Sequence, residues 1–264
     1  MLTLTEAQLN AWLVAYFWPF VRIAGCLMVA PVFGARFVPA RLRIGLACAI
    51  TLLAAPLLPA PPDVPLFSVP GILITIQQLI IGVAIGFVLQ LVFDAVGLGG
   101  QLLANSMGLS FAFNVDPMRG ASTAAVGQFY MLLTIMTFVA LNGHLALIEA
   151  LVRGFQTLPI GAGGLGVAGI WSVVAFGSHL FEGAVAVALP GMTALMIVNL
   201  AFGVMSRAAP ALNLFGVGFP IILAFGLVIV FFGLPGVQAQ FMRLVGDGFD
   251  FLFELQGGSA ASAP

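Results

Sequence analysis

Any chemistry in this chain has to come from two histidines, two cysteines, nine side-chain carboxylates and eight basic residues, every one of them arginine. Without lysine there is no Schiff-base amine and no phosphate-gripping P-loop lysine. His144 and His179 lie on different segments with no third ligand at helical spacing, which leaves a metal site without support. No serine stands in a Gly-x-Ser-x-Gly context, and no cysteine has a histidine placed to activate it. Cys26 and Cys48 each sit inside an apolar run and read as free buried thiols. A disulfide would need both run ends to meet in an oxidising compartment. Glu149 and Arg153, four apart in the favourable order, read as a structural helix pair. The expectation is a protein that is not an enzyme and holds no cofactor and no metal.

What remains is chemistry of position. Gln90, Asp94, Gly97, Gln101, Asn105 and Gly108 follow one another at spacings of four, three, four, four and three. At about 100° per residue they fall on one narrow helix face. Leu91, Val92, Leu98, Leu102 and Leu103 occupy the other side. On a membrane helix, a stripe of polar and small residues faces a water-filled path or a tightly packed protein neighbour, never lipid. Either reading makes this helix internal to an assembly.

The period then changes. Met107, Leu109, Phe111 and Phe113 alternate with Gly108, Ser110, Ala112 and Asn114, and a period of two suits extended chain. Asp116-Pro117 follows, with the residue before proline pushed out of the helical region, and Arg119-Gly120 completes a turn. Two readings stand side by side. A non-helical loop at membrane depth, tolerated only inside protein or along a cavity, could close that cavity by dewetting. Alternatively, the helix ends in an ordinary surface turn.

The elements that position these residues follow from composition. The chain has 264 residues, 62% hydrophobic and 6% charged, against about 25% charged for an average soluble domain. The mean hydropathy is +1.19. So little polar surface excludes a soluble globular enzyme and a disordered chain. A net charge of −1 offers no basic patch to follow phosphates, so no nucleic acid is expected as a partner. Membrane lipid and other membrane protein are the expected surroundings. Apolar runs of spanning length fall near Ala11–Val32, Ile44–Ala60, Gly71–Phe93, Ala121–Leu141, Val167–Leu189 and Phe219–Phe232, with a shorter stretch at Met192–Val204. The fold class expected is all-α: a polytopic membrane protein of about six spans, with broken helices and a buried extended loop.

One domain over residues 1–255 and a disordered tail over 256–264 is the simplest division, with no internal repeat of 20–50 residues. Arg36, Arg41 and Arg43 crowd the first loop, which the positive-inside rule assigns to the cytoplasm. Gly82 and Gly86 form a Gly-x-x-x-Gly helix-approach pair. Arg22, Asp94, Glu182 and Arg207 lie in or at the edge of apolar runs, a costly placement that marks functional or inter-subunit positions.

Four ordered blocks then resemble a known family. Phe20–Ala47 reads FVRIAGCLMVAPVFGARFVPARLRIGLA, Met107–Gly120 reads MGLSFAFNVDPMRG, Leu141–Pro159 reads LNGHLALIEALVRGFQTLP and Gly203–Ile221 reads GVMSRAAPALNLFGVGFPI. In this order they are similar to the FliR family of flagellar type III export-gate proteins. Ser106, Leu145 and Pro210-Ala211 depart from the residues usual there. The resemblance implies a core subunit of a helical gate in the bacterial inner membrane, at the flagellar basal body. Its partners would be FliP and FliQ homologues and FlhB, with unfolded flagellar proteins in transit. It also implies a pore plug at Ser106–Ala121, carried by Met107, Leu109, Phe111, Phe113, Asp116, Pro117 and Arg119. Arg22, Glu182, Arg207 and Asn213 are inter-subunit candidates. The alternatives are the equivalent subunit of a virulence secretion system and a secondary transporter for a small solute. The transporter should show an inverted repeat and converging charges, and the sequence has neither.

Overall fold

The computed structural model describes residues 6–35, 38–109, 125–161, 163–208 and 218–257. Among them are eight α-helices, one short 3₁₀ turn and no strand. The helices are α1 (Glu6–Val29), α2 (Ala40–Ala54), α3 (Val69–Ser106), α4 (Ala125–Ala140), α5 (Gly143–Thr157), α6 (Gly166–Phe176), α7 (Ser178–Ala208) and α8 (Phe219–Leu255). Five segments are long and apolar enough to cross a membrane, or six when the bent pair α4–α5 is taken as one span. Large apolar side chains stand exposed along them, including Phe181, Met196, Leu200, Phe231 and Phe232. Such a surface belongs against lipid or other protein, not water. The chain is a polytopic helical membrane protein.

Local chemistry sets the boundaries. Pro56 ends α2 in the 3₁₀ turn Ala55–Leu57, because it supplies no N–H to extend the ladder. Ser68 caps α3: its hydroxyl oxygen accepts the Gly71 N–H at 3.2 Å, the usual N-cap service to the third helical residue. Three expected boundaries move. The span Gly71–Phe93 and the polar stripe beyond it form one helix of 38 residues, about 57 Å long against a hydrocarbon core of about 30 Å. Val167–Leu189 and Met192–Val204, read as separate stretches, are joined. The chain breaks at Gly177 and carries Pro190 inside α7. Proline is tolerated there because membrane helices re-satisfy the freed carbonyl from their surroundings. Likewise α8 runs past Phe232 to Leu255. It presents Arg243, Asp247, Asp250 and Glu254 on one exposed stripe, so these charges belong to a helix face and not to a loop.

The contacts divide into two compact units. The first holds residues 1–91, 138–177 and 246–264; the second holds 92–137 and 178–245. In the first, Ile23, Leu27, Ala47, Ile50 and Phe155 form one core cluster, and Val14, Trp18 and Ile74 form another. The Trp18 indole N–H donates to Thr75 Oγ1 at 3.1 Å. Phe176 and Phe251 stack at 4.5 Å between centroids. Gln256, assigned from sequence to a disordered tail, is buried at 2% exposure in this unit. In the second, Phe93 meets Phe241 edge-on at 5.3 Å.

Candidate functional site

Arg22 is fully buried on α1, and every partner it finds is neutral. Its Nε donates to Gln78 Oε1 at 2.7 Å, Nη1 to the Gly154 carbonyl at 3.1 Å and Nη2 to the Leu158 carbonyl at 2.8 Å. The guanidinium carbon lies 4.1 Å from the centre of the Phe155 ring. One planar cation thus ties α1 to α3 and closes the end of α5, where it joins the Leu158 N–H on the Gly154 carbonyl, gives the Leu158 carbonyl a donor and brings positive charge to a helix C-terminus, where it is favourable. Lysine could not do this, because it lacks the fixed fork of donors and the flat face. The glycine pair explains how the fork gets close enough. A methyl group at Gly82 would run into the Arg22 carbonyl oxygen, and one at Gly86 would stand 2.6 Å from that of Cys26. Glycine there lets α1 and α3 touch backbone to backbone.

The polar stripe occupies the continuous helix α3. Gln90, Asp94 and Gln101 are half-buried and Asn105 is exposed, while Leu91, Val92 and Leu103 across the helix are core residues. Around Gly97 and Gln101 the stripe is a packing seam. A Cβ at Gly127 of α4 would lie 3.0 Å from Gln101 Cγ and from the Gly97 carbonyl oxygen. One at Gly100 would lie 2.8 Å from Gly127 Cα. On other sides of the same stretch, Gly99 meets Ala184 and Val187 of α7, and Gly183 of α7 meets Ala95.

The stripe ends where the expected plug begins. Gly108 takes the left-handed conformation at φ 80°. Its N–H bonds the Asn105 carbonyl at 3.0 Å, and the Leu109 N–H bonds that of Ala104 at 3.1 Å. These two bonds make a Schellman cap. Met107–Leu109 is therefore a helix-ending turn and not the start of extended chain: glycine after the last periodic residue outweighs the alternation over these three positions. Met107 is fully buried, and a Cβ at Gly226 of α8 would stand 2.5 Å from its methyl carbon. Leu109 is half-buried. Phe111, Phe113, Asp116, Pro117 and Arg119 lie outside the described residues, as does Asn213.

The remaining candidates scatter. Glu182 and Arg207 are exposed on α7, in the second unit, whereas Arg22 is in the first. Glu149 and Arg153 form the expected helix pair at 2.7 Å. Cys26 is buried as expected, but Cys48 is exposed, because apolar membrane-length runs have an outer face. Arg41 and Arg43, expected in the first loop, stand instead in the first turn of α2, where Arg43 donates to the carbonyls of Ala35 and Val38 at 2.6 and 3.0 Å. Among the described residues no group of three metal-ligating side chains gathers.

The profile of bacterial export proteins, family 1, matches residues 13–248. The flagellar biosynthetic protein FliR of Pectobacterium carotovorum is 39% identical, over 97% of both chains. The chain belongs to the FliR family. The FliR of Escherichia coli is 38% identical over 97% of both chains, and that of Buchnera aphidicola from Acyrthosiphon pisum 32% over 95% of this chain and 96% of its own. Two of the FliR-like blocks meet at the buried arginine. Phe20–Ala47 supplies Arg22, and Leu141–Pro159 supplies Gly154, Phe155 and Leu158. Gln78 and Gln256 belong to neither block. Gln78 accepts from Arg22, and the Gln256 amide stands 3.1 Å from where a Cβ on Gly154 would be.

Proposed function

We propose that this chain is a core subunit of the flagellar type III protein export gate, in the bacterial inner membrane at the basal body. There it assembles with FliP and FliQ homologues, meets FlhB, and helps form the pore for unfolded flagellar proteins. It acts as structure and barrier rather than as an enzyme, and partners supply the energy, since the chain has no nucleotide motif. The observation that carries this reading is similarity to flagellar biosynthetic proteins over 97% of the chain. In this reading Arg36, together with Arg41 and Arg43 at the start of α2, faces the cytoplasm, as the positive-inside rule expects.

A pore wide enough for an unfolded polypeptide leaks ions when idle unless something occludes it. In this reading the occluding segment is Ser106–Ala121. Leu109, Phe111 and Phe113 make the passage unfavourable to water and hydrated ions, Met107 anchors the segment at its start against α8, and the small Ser110 and Ala112 let the chain beyond the cap fold aside. Asp116-Pro117 and Arg119-Gly120 turn it back. The buried Met107 and the cap at Gly108 support this by fixing the point from which the segment leaves α3. The test is conductance of the assembled complex in a planar bilayer. Phe111→Ala with Phe113→Ala should assemble normally and leak. A tight pore in the assembled double mutant would move the barrier elsewhere, and a failure to assemble would make these phenylalanines ordinary core.

A further inference from the structure

Along α2, Arg41, Gly45, Cys48 and Leu52 follow at spacings of four, three and four, so they share one helix face, and all four are exposed. The lower part of that face is one wall of an open apolar groove of about 540 Å³, lined by Tyr16, Phe17 and Phe20 of α1 and by Cys48, Thr51 and Leu52 of α2. The one hydroxyl on the α2 wall is already used, since Thr51 Oγ1 donates to the Ala47 carbonyl at 2.6 Å. Above the groove, a side chain on Gly45 would meet nothing within 4 Å, so the way from Cys48 up to Arg41 is clear. Arg41 stands at the very start of the apolar stretch Ala40–Leu57, and helical side chains lean toward the N-terminus, which carries its guanidinium away from the groove.

From Arg41 to Leu52 is eleven residues on one helix, about 16 Å, which is the depth of one leaflet of a hydrocarbon core about 30 Å thick. We infer that this face binds an anionic phospholipid, its phosphate on Arg41 and one acyl chain lying past Gly45 into the groove between α1 and α2. Charge and length select this occupant together. A second protein helix would have no use for a cation set one leaflet's depth above the apolar lining, and a zwitterionic lipid would bring a second cation to Arg41 along with its phosphate. Arg43 does not compete for the phosphate, being engaged with the Ala35 and Val38 carbonyls.

Cys48 lies in the groove and Cys26 is buried, so a thiol reagent reads the site directly. The full chain, assembled with its partner subunits, is placed in nanodiscs of phosphatidylcholine with or without phosphatidylglycerol. Maleimide labelling of Cys48 is timed, and retained lipid is identified by native mass spectrometry. Phosphatidylglycerol should slow labelling several-fold and stay bound. Arg41→Gln should weaken this about fivefold, the share of one interfacial arginine, and Gly45→Leu, which fills open space, should abolish it while assembly is unchanged. Equal labelling in both lipids, with no effect of Arg41→Gln, would overturn the assignment. So would slow labelling in detergent irrespective of lipid, which would put a partner helix in the groove.

Discussion

Both units bring helices together at glycines, Gly82 and Gly86 serving in the first, but the first adds a buried polar tie to that approach. In the first, the contact with the most partners is Arg22, a buried cation bonded to a glutamine and two backbone carbonyls and stacked on Phe155. In the second, close approaches run through glycines that include Gly99 and Gly100 of α3, Gly127 of α4, Gly183 and Gly191 of α7 and Gly226 of α8. Helices in lipid gain nothing from leaving it for another apolar surface, so hydrogen bonds and close van der Waals contact must specify the packing. A polar tie fails all at once, because losing one member strands the others in a dry place. A glycine seam fails in proportion to the volume added. The comparison therefore predicts mutations that differ in kind.

The largest effect is expected at Arg22. Arg22→Ala strands Gln78 Oε1 and the Leu158 carbonyl, leaves a cavity against Phe155 and should cost on the order of 3–5 kcal/mol, read as loss of the protein from membranes and a collapsed thermal transition in detergent. Arg22→Lys should recover little, since an ammonium cannot reach three acceptors in the plane of a fork. Gln78→Leu should also be harmful alone. Combined with Arg22→Leu, however, it should cost less than the sum of the two, because the pair is removed together. Additive losses in that cycle would mean that Arg22 serves by its bulk and not by its bonds.

The glycine seam comes next. Gly100→Val meets the Gly127 backbone, which cannot turn aside, and should cost about 1–3 kcal/mol. Gly233→Ala and Gly236→Ala on α8 meet nothing within 4 Å and should be neutral or add up to about 1 kcal/mol, as alanine does within a helix. Thermal unfolding of the purified complex compares them. If all three behave alike, the seam in the second unit is not what holds α4 to α3.

Much of this organisation is legible in the sequence, and the gaps have physical causes. Apolar composition announces the helices, and the Gly82–Gly86 spacing announces the α1–α3 contact. Helix ends fared worse, because hydropathy reads Gln90 and Asp94 as leaving the membrane and Pro190 as a break. In fact, internal packing continues both helices beyond the thickness of a bilayer. Arg22 stands out as a charge in an apolar run, yet its partners could not be foreseen. Backbone carbonyls and neutral amides have no signature, and Gly154 is 132 residues away. The cap at Gly108 did have one, a glycine directly after the last periodic position, which the Met-Leu-Phe-Phe alternation obscured.

That cap gives a third and smaller test. A residue with a Cβ at φ 80° costs roughly 1–2 kcal/mol, so Gly108→Ala should lower stability by about 1 kcal/mol, and Gly108→Asn by less, since asparagine accepts the left-handed conformation. The informative measurement is conductance. If Gly108 sets the direction in which the occluding segment leaves α3, Gly108→Ala should assemble and leak, with Gly108→Asn close to tight. A leak equal in both would place the effect in the added volume, not in the turn.

The smallest effect is expected at an exposed polar contact of the first unit, the Glu149–Arg153 pair, whose side chains are 59% and 60% exposed. It is a test of burial. Helix α5 buries Leu147, Ala150, Leu151, Gly154 and Phe155 on one face and turns Leu145, Glu149 and Arg153 outward. With Glu149 removed, Arg153 is left alone. In hydrocarbon an unpaired arginine costs about 2.5–3.5 kcal/mol, whereas against water or headgroups an exposed helix pair is worth about 0.3–0.5 kcal/mol. The break at Asn142, which takes φ 56° and sets α5 at 66° to α4, separates this amphipathic helix from the more uniformly apolar α4. The expectation is that the charged face of α5 meets water. Glu149→Gln should therefore shift the thermal transition by less than a degree or two and leave membrane abundance unchanged. A loss approaching that of Arg22→Ala would put α5 inside the bilayer, making its surface pair as structural as the buried tie.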